Sequence, residues 1–264
     1  MNLSGNIALV TGAGRGIGRG CALELARAGA DVIINDRPGS PDIGSTAGEI
    51  RALGRKCTPI EADVFSRDGC ESLVKAALEA NGRINILVSN PAFSRRGDFL
   101  EFSSEAFEKT MQGTLAGGFH MGQIVARHMA ERGGGGKIVF ISSVHGEMPL
   151  AQANAYNAAK AGLNHLARSM AVELVSHRIN VNVVSPGWID TPGEHETYSA
   201  KVMSEGWQKV PWGRLGKADE IGKAAVFLCS DNADYITGVV LPVDGGIRFR
   251  DCLPEELVQH DNSD

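Results

Sequence analysis

The chain has 264 residues, of which 43% are hydrophobic, and a formal net charge of −5. This length suits one sizeable core and does not require a second domain. The negative charge and the scattered basic residues argue against nucleic-acid or membrane-surface partners, and no apolar run reaches the ~18 residues that suggest a membrane span.

Short apolar segments alternate along the chain with segments of helical periodicity. They predict strands at residues 7–10, 32–35, 58–62, 84–89, 137–142, 179–185 and 239–243. This alternation is typical of a parallel sheet, and runs that are apolar at successive residues, such as 138–141, indicate strands covered on both faces. The sequence therefore predicts an α/β fold with a doubly wound parallel sheet of about seven strands and helices on both faces.

The first predicted strand runs into a glycine-rich turn. Its sequence is Thr11-Gly12-Ala13-Gly14-Arg15-Gly16-Ile17-Gly18. Glycines accept unusual backbone angles and let a pyrophosphate approach the amides at a helix N-terminus. The sixth position of the common dinucleotide fingerprint, counted from Gly12, is Ile17 and not glycine. The turn therefore predicts a dinucleotide site, with an ordinary loop as the alternative.

The second predicted strand is followed by an acidic residue. Asp36 lies eighteen residues beyond Gly18. A carboxylate at this place can accept hydrogen bonds from the adenosine ribose and would repel a 2′-phosphate, which favours NAD. Arg15 and Arg37 could each reach a phosphate, so NADP stays possible.

Tyr156 and Lys160 lie four residues apart in a predicted helix, which sets an ammonium beside a phenol. A fixed positive charge favours the phenolate and makes tyrosine, with its usual pKa of ~10, a better proton shuttle. Ser143 lies thirteen residues upstream, at the end of a predicted strand. Taken alone, this spacing also fits a solvated helix face.

Together these features resemble the short-chain dehydrogenase/reductase family, particularly its members similar to glucose 1-dehydrogenase and 3-oxoacyl reductase. The resemblance covers nearly the whole chain. It rests on the turn at 11–18, Asp63-Val64, Ser143 with Tyr156 and Lys160, Pro186-Gly187 with Thr191, Ile236-Thr237-Gly238, and Val243-Asp244-Gly245-Gly246. It implies a Rossmann fold, a single dinucleotide-binding catalytic domain at 1–250 and a C-terminal tail at 251–264.

The resemblance also implies an activity, namely hydride transfer between a nicotinamide and a secondary alcohol or ketone. Tyr156 would move the proton, Ser143 would hold the substrate oxygen, and Lys160 would hold the nicotinamide ribose. The implied cofactor-binding residues are Gly12, Arg15, Gly16, Ile17, Gly18, Asp36, Asp63, Val64, Asn90, Tyr156, Lys160, Pro186, Gly187, Ile189 and Thr191. For Asp63, which would meet the adenine amino group, a helix cap is the alternative.

Two positions depart from the family pattern. The fourth strand runs into Ser89-Asn90-Pro91-Ala92, where the family has Asn-Asn-Ala-Gly, so the backbone there is expected to take a different path. Thr114 stands at the place of the family's active-site asparagine and is the expected fourth catalytic position. These departures motivate the alternative of a catalytically weak, dinucleotide-binding sensor.

The substrate residues are expected in the loops that follow the fourth, fifth and sixth strands. They are Arg95, Arg96, His145, Glu147 and Trp188. This mixture of polar and aromatic side chains suits a sugar, a polyol or a small hydroxy acid. The competing activity is that of a 3-oxoacyl thioester reductase, against which Asp36 argues because such enzymes normally use NADPH.

The sequence also leads to predictions about metal binding, assembly and cellular location. Five dispersed cysteines and seven histidines without zinc-like clustering predict no metal site. The resemblance implies a homotetramer formed through paired helices, one of which carries Tyr156, and through the C-terminal strand region. The N-terminus enters a strand without a basic segment and a long apolar stretch, so we expect no secretion signal and a cytoplasmic protein.

Overall fold

The computed structural model describes residues 1–90 and 92–252, and a parallel sheet lies at its centre. The described strands are β1 (Ile7–Val10), β2 (Asp31–Asp36), β3 (Cys57–Glu61), β4 (Ile86–Ser89), β5 (Gly136–Ile141), β6 (Ile179–Pro186), β7 (Ile189–Asp190), β8 (Gly216–Lys217) and β9 (Val240–Val243). Seven of them form one parallel sheet in the order β3-β2-β1-β4-β5-β6-β9. The predicted seven-stranded sheet is therefore confirmed, and the short strands β7 and β8 pair separately.

Helices connect the strands. They are α1 (Gly16–Arg27), α2 (Ile43–Ala52), α3 (Arg67–Asn81), α4 (Ser104–Met111), α5 (Gly117–Arg132), α6 (Asn154–Leu174), α7 (Pro192–Thr197), α8 (Ala200–Glu205) and α9 (Ala218–Cys229). A π-helical segment, Gln112–Ala116, joins α4 to α5. Among the described residues no helix is long and apolar enough to cross a membrane.

Two apolar clusters cover the two faces of the sheet. Val10 and Ile34 pack with residues of α1 and α9, whereas their neighbours Leu9 and Ile33 pack with residues of α3, α5 and α6. Successive side chains of a strand point to opposite faces, so a strand that is covered on both sides is expected to be apolar at most positions. The predicted doubly wound fold is thus confirmed.

The strand order places a crevice at the carboxyl end of the sheet. From β1 the chain continues to β2 and β3 on one side, and from β4 to β5, β6 and β9 on the other. In open α/β sheets the loops diverge where the order reverses, and ligands bind there. The loops after β1, β2, β4, β5 and β6 carry nearly all of the predicted site residues, so they share this edge.

Some predictions fall partly outside the described residues. Pro91 is not described, so the expected change of the backbone path at this residue stays a prediction. The boundary proposed at residue 250 falls inside the short 3-10 helix Ile247–Cys252, and residues 253–264 are not described.

Candidate active site

The glycine-rich turn after β1 needs its glycines for two different reasons. Gly12 and Gly16 have φ values of +60° and +56°, in the left-handed region that side chains disfavour. At Gly18 the limit is space, because a Cβ there would lie 2.0 Å from the carbonyl oxygen of Gly12 and 2.9 Å from Nδ2 of Asn90. The turn therefore packs tightly against both itself and the loop after β4.

Asp36 packs against the same turn. Its carboxylate accepts hydrogen bonds from the Arg37 backbone N–H at 2.8 Å and from the Ser40 hydroxyl at 2.6 Å. A Cβ on Gly14 would lie 2.0 Å from Oδ2 of Asp36. The acid at the end of β2 thus lies directly beside the glycine-rich turn, as a residue that reads an adenosine ribose must.

A cavity of about 480 Å³ extends along this edge of the sheet. Of the predicted cofactor residues, its lining includes Gly12, Arg15, Gly16, Ile17, Asp36, Asp63, Val64, Asn90 and Thr191. A glycine turn without Cβ atoms that opens into a cavity fits the pyrophosphate of a dinucleotide. Arg15 also forms an ion pair with Glu196 of α7, so this pair links the turn to the segment after β7.

The remaining predicted cofactor residues lie behind or beside the described lining of this cavity. Gly187 donates to the Val243 carbonyl at 3.0 Å, and a Cβ there would lie 2.7 Å from Cα of Asp244. Pro186 is the last residue of β6, and Ile189 is buried in β7. These residues join the turn after β6 to the end of β9.

Asp63 does not cap the helix that follows it. Its carboxylate accepts from the Phe65 backbone N–H at 3.0 Å. The cap of α3 is Ser66, whose hydroxyl accepts from the Gly69 N–H at 3.1 Å. The helix-cap alternative for Asp63 is therefore wrong, because Ser66 lies in the capping position.

Ser143, Tyr156 and Lys160 come together where β5 meets α6. The Ser143 hydroxyl lies near enough to the Tyr156 phenol to act on its pKa, which it lowers. Nζ of Lys160 lies 5.4 Å from the centroid of the Tyr156 ring and donates to the carbonyl of Ile141 at 2.8 Å. The predicted helical spacing therefore does bring the ammonium to the phenol.

Burial dominates the pKa values of these groups. It raises the pKa of Tyr156 to about 12, against the opposing effect of Ser143, and it lowers the pKa of Lys160 to about 7. Both shifts arise because burial disfavours the charged form. Burial thus sets the pKa of Tyr156, and the effect of the lysine charge on the phenol stays a prediction.

Thr114 is placed differently from the other three predicted catalytic residues. It is buried in the π-helical segment Gln112–Ala116, where its hydroxyl accepts from the Phe93 N–H at 3.0 Å and donates to the Phe93 carbonyl at 2.8 Å. Its side chain therefore anchors the loop after β4. Within residues 1–90 and 92–252 it forms no hydrogen bond with Ser143, Tyr156 or Lys160.

Two of the predicted substrate residues lie close to Tyr156. The His145 ring meets the Tyr156 ring edge to face, with centroids 5.2 Å apart. The charge of Arg96 acts to lower the pKa values of Tyr156 and His145, and its guanidinium lies 5.4 Å from the centroid of the Tyr198 ring. These side chains line the approach to the tyrosine.

The other three predicted substrate residues are held by protein partners. Arg95 lies over the Phe93 ring, with 5.6 Å between Cζ and the centroid. Glu147 pairs with Arg248, which also donates to Asp244 at 3.0 Å. Trp188 donates from its indole to Glu194 at 3.0 Å. The side chains of Glu147 and Trp188 are therefore fixed by contacts within the protein.

Comparison with known proteins gives consistent matches over most of the chain. A family model described as enoyl-(acyl carrier protein) reductase matches residues 12–248. L-rhamnose 1-dehydrogenase (NAD(P)(+)) of Azotobacter vinelandii is 40% identical over 243 residues, which are 90% of this chain and 95% of that protein. The 2-dehydro-3-deoxy-D-gluconate 5-dehydrogenase of Escherichia coli is 36% identical and covers 93% of this chain and 96% of its own.

A solved structure agrees with these sequence matches. The crystal structure of a short-chain type dehydrogenase/reductase from Mycobacterium marinum superposes with a TM-score of 0.88 at 35% identity, covering 93% of this chain and 96% of that one. The chain belongs to the short-chain dehydrogenase/reductase family. As a member of this family it is an oxidoreductase that acts on the CH–OH group of a small molecule with NAD(P).

Several contacts of this short-chain dehydrogenase/reductase were not predicted. Asn157 binds His145, Ser40 binds Asp36, and Glu194 binds Trp188. Asn157 is the residue next to Tyr156 and Ser40 lies four residues after Asp36, so proximity in the sequence was the available signal. Among the described residues no three His, Cys, Asp or Glu side chains gather as metal ligands would.

Proposed function

We propose that this short-chain dehydrogenase/reductase oxidises a sugar, a polyol or a small hydroxy acid, or reduces the corresponding ketone, with Ser143, Tyr156 and Lys160 as its catalytic residues. The observation that carries the proposal is the placement of the buried Lys160 ammonium 5.4 Å from the centroid of the Tyr156 ring, at the end of the strand that leads to Ser143. The two enzymes compared above, which act on L-rhamnose and on 2-dehydro-3-deoxy-D-gluconate, support the substrate class.

NAD is the proposed cofactor, and when bound it supplies the hydride acceptor. The turn with Gly12, Gly16 and Gly18 would hold its pyrophosphate, and Asp36 its adenosine ribose. Asp63 and Val64 would meet the adenine, and Lys160 the nicotinamide ribose. The remaining proposed contacts are Arg15, Ile17, Asn90, Tyr156, Pro186, Gly187, Ile189 and Thr191. The carboxylate of Asp36, held by Arg37 and Ser40, favours NAD over NADP.

The residues of the chain handle the proton. In the oxidation direction the substrate alcohol loses its hydroxyl proton to the Tyr156 phenolate while its carbon gives up a hydride to the cofactor, so that a ketone forms. Burial raises the pKa of Tyr156 to about 12, so the positive charges of Lys160 and of bound NAD would have to favour the phenolate. Ser143 hydrogen-bonds the substrate oxygen and stabilises the charge that develops there. Lys160, with a pKa of about 7, can gain and lose a proton near neutral pH and thus pass it towards solvent.

Thr114 would serve this site through the loop it anchors. Its two hydrogen bonds fix Phe93, and the same loop carries Arg95 and Arg96. Arg96 and His145 would contact the substrate, whereas Glu147 and Trp188 would shape the wall. The competing activity is that of a 3-oxoacyl thioester reductase, since a 3-oxoacyl-[acyl-carrier-protein] reductase of Thermotoga maritima is 34% identical over 247 residues. Asp36 argues against it.

We propose a homotetramer as the assembly. Support comes from an apolar cavity of about 600 Å³ on the face made by α4, α5 and α6. Its lining includes Phe107, Met111, Leu115, Phe119 and Leu166. An exposed apolar face of this kind is typical of an interface between subunits. The cytoplasmic location, the single domain at 1–250 and the tail at 251–264 stay predictions.

A titration followed by an activity screen tests the proposed function. The purified protein is titrated with NADH and NADPH by fluorescence, and sugars, polyols, hydroxy acids and acyl thioesters are then screened for turnover. We expect tighter binding of NADH and turnover of a hydroxylated substrate. Tyr156→Phe should still bind NADH, because most of the proposed cofactor contacts remain, but it should lose activity by about 100-fold or more, because proton transfer is lost. Tighter binding of NADPH overturns the cofactor assignment, and activity that survives in Tyr156→Phe overturns the catalytic one.

A further inference from the structure

The orientation of the Asn157 side chain is fixed by two hydrogen bonds. Its Nδ2 donates to the carbonyl of Leu150 at 2.9 Å, and its Oδ1 lies 2.8 Å from Nδ1 of His145. The reversed amide would place two oxygens against each other at Leu150. An amide oxygen has no proton to give, so Nδ1 of His145 must carry the proton in this contact.

The protonation of Nδ1 determines what the other ring nitrogen can do. In a neutral imidazole with a proton on Nδ1, Nε2 has a free lone pair and accepts hydrogen bonds. Burial lowers the pKa of His145, the Asn157 hydrogen bond opposes this shift, and the charges of Arg96 and Lys160 add to it. Tyr156, which packs against the ring, is uncharged at neutral pH, since burial raises its pKa to about 12. His145 is therefore a neutral acceptor at neutral pH.

Nε2 of His145 is free to accept a hydrogen bond from a ligand. Within residues 1–90 and 92–252 it has no hydrogen-bond partner, yet it is not one of the buried polar atoms that lack a partner, so solvent reaches it. The ring contacts the Tyr156 ring at 5.2 Å, and the His145 backbone N–H donates to Oγ of Ser143 at 3.2 Å. His145, which carries this accessible acceptor, thus contacts both residues that would hold the reacting oxygen.

We propose that Asn157 is a positioning residue that fixes His145 as the Nδ1–H tautomer, so that Nε2 accepts a hydrogen bond from a second hydroxyl, on the carbon next to the reacting one. This inference rests on the proposed function, because Ser143 and Tyr156 must hold the reacting oxygen. It narrows the substrate class to vicinal diols and α-hydroxy ketones. A substrate without the second hydroxyl leaves Nε2 unpaired when water is displaced.

The tautomer can be measured without any turnover. Nitrogen NMR of protein labelled with ¹⁵N-histidine, with His145→Phe to assign the signal, reports which ring nitrogen carries the proton. We expect Nδ1–H in the wild type. In Asn157→Leu, which has a similar size but no acceptor, we expect the Nε2–H form to grow. An Nε2–H wild type, or the same spectrum in Asn157→Leu, overturns the positioning role.

Three ketones of similar size test the second hydroxyl. Hydroxyacetone carries a hydroxyl that can donate a hydrogen bond, fluoroacetone has in its place a fluorine atom that cannot donate, and acetone has neither group. The reduction of each ketone with NADH is measured. We expect the wild type to prefer hydroxyacetone over fluoroacetone by about 10-fold in kcat/KM, the value of about one hydrogen bond. His145→Phe and Asn157→Leu should bring this ratio close to one.

The outcomes of this assay separate the inference from the proposed function. A ratio that both variants leave unchanged, or a wild type that reduces none of the three ketones, overturns the inference. Activity that persists in Tyr156→Phe contradicts the catalytic assignment instead, and the NMR result then still decides the role of Asn157.

Discussion

Burial of Lys160 lowers the stability of the fold and shifts the pKa of this residue into the range that suits proton transfer. Its side chain is 2% exposed, and its ammonium is bound by one carbonyl, that of Ile141. Burial lowers its pKa to about 7, whereas an unfolded lysine titrates near ~10.4. Between these pH values the unfolded chain binds a proton that the folded chain does not. The free energy of unfolding must therefore rise with pH across this window. Below about pH 7 the lysine is charged in the folded protein, and the cost of burying this charge lowers stability.

Replacement of Lys160 by methionine should remove this pH dependence. We expect the free energy of unfolding of the wild type to rise relative to that of Lys160→Met between about pH 7 and pH 9, and this difference to have a limiting slope of about 1.4 kcal/mol per pH unit. Tyr156 and the buried cysteines, whose pKa values burial also raises, are common to both proteins and cancel in the difference. Urea unfolding at several pH values measures the difference.

Lys75→Met is the control for this experiment. The Lys75 side chain is 79% exposed and its ion pair with Glu79 is loose, at 4.0 Å. This variant should keep the pH dependence of the wild type. Parallel curves for the wild type and Lys160→Met would show that Lys160 keeps an ordinary pKa in the folded protein.

The glycine-rich turn and the start of α1 pack so closely that one added Cβ atom would disturb their contact. Gly18 lies in α1, a Cβ on it would meet the Gly12 carbonyl at 2.0 Å, and the turn that bears Gly12 lines the cavity. Backbone atoms cannot move aside as the end of a flexible side chain can. A substitution at Gly18 must therefore displace the turn itself.

Gly18→Ala should thus destabilise the fold by about 1–3 kcal/mol and weaken NADH binding, as overpacking does. Gly48→Ala is the matched control in α2, where a Cβ would meet nothing within 4 Å. It should raise stability by about 0.5–1 kcal/mol and leave binding unchanged. Thermal unfolding and NADH titration of both variants measure these effects, and equal behaviour of the two would contradict the packing of the turn.

The elements themselves were predictable because their signals are local. Strands such as β5 are apolar at successive positions, and the spacing of the glycines after β1 indicates a turn. The spacing of Tyr156 and Lys160 also identified the core of the candidate site. The π-helical segment Gln112–Ala116 was not predicted, because the bond between Thr114 and Phe93 joins residues 21 positions apart. The raised pKa of Tyr156 was not predicted, because burial is not visible in a helical spacing.

At the scale of the whole molecule, the apolar face on α4, α5 and α6 is the main feature that one subunit leaves open. Phe119 of this face is 39% exposed, and the groove beside it is almost wholly apolar. Helix α6 also carries Tyr156 and Lys160, so a contact on this face would steady the catalytic helix. The proposed tetramer therefore links assembly to the rigidity of the site.

Phe119→Glu should dissociate the tetramer into smaller species, because a charge would be buried in an apolar interface. Leu53→Glu is the control, since Leu53 is exposed to a similar extent, 40%, and lies at the end of α2, away from this face. Size-exclusion chromatography with light scattering measures the mass of each variant. A wild-type monomer, or a tetramer that survives in Phe119→Glu, would contradict the proposed interface.

The transfer of deuterium from NADH labelled at the nicotinamide tests the catalytic account most directly. The labelled cofactor is incubated with the ketone of the screen that reacts fastest, and the alcohol formed is analysed by mass spectrometry. We predict one deuterium on the new carbinol carbon with the wild type, and almost no labelled alcohol with Tyr156→Phe despite intact NADH binding. An alcohol without deuterium, or equal labelling by both proteins, would contradict direct hydride transfer assisted by Tyr156.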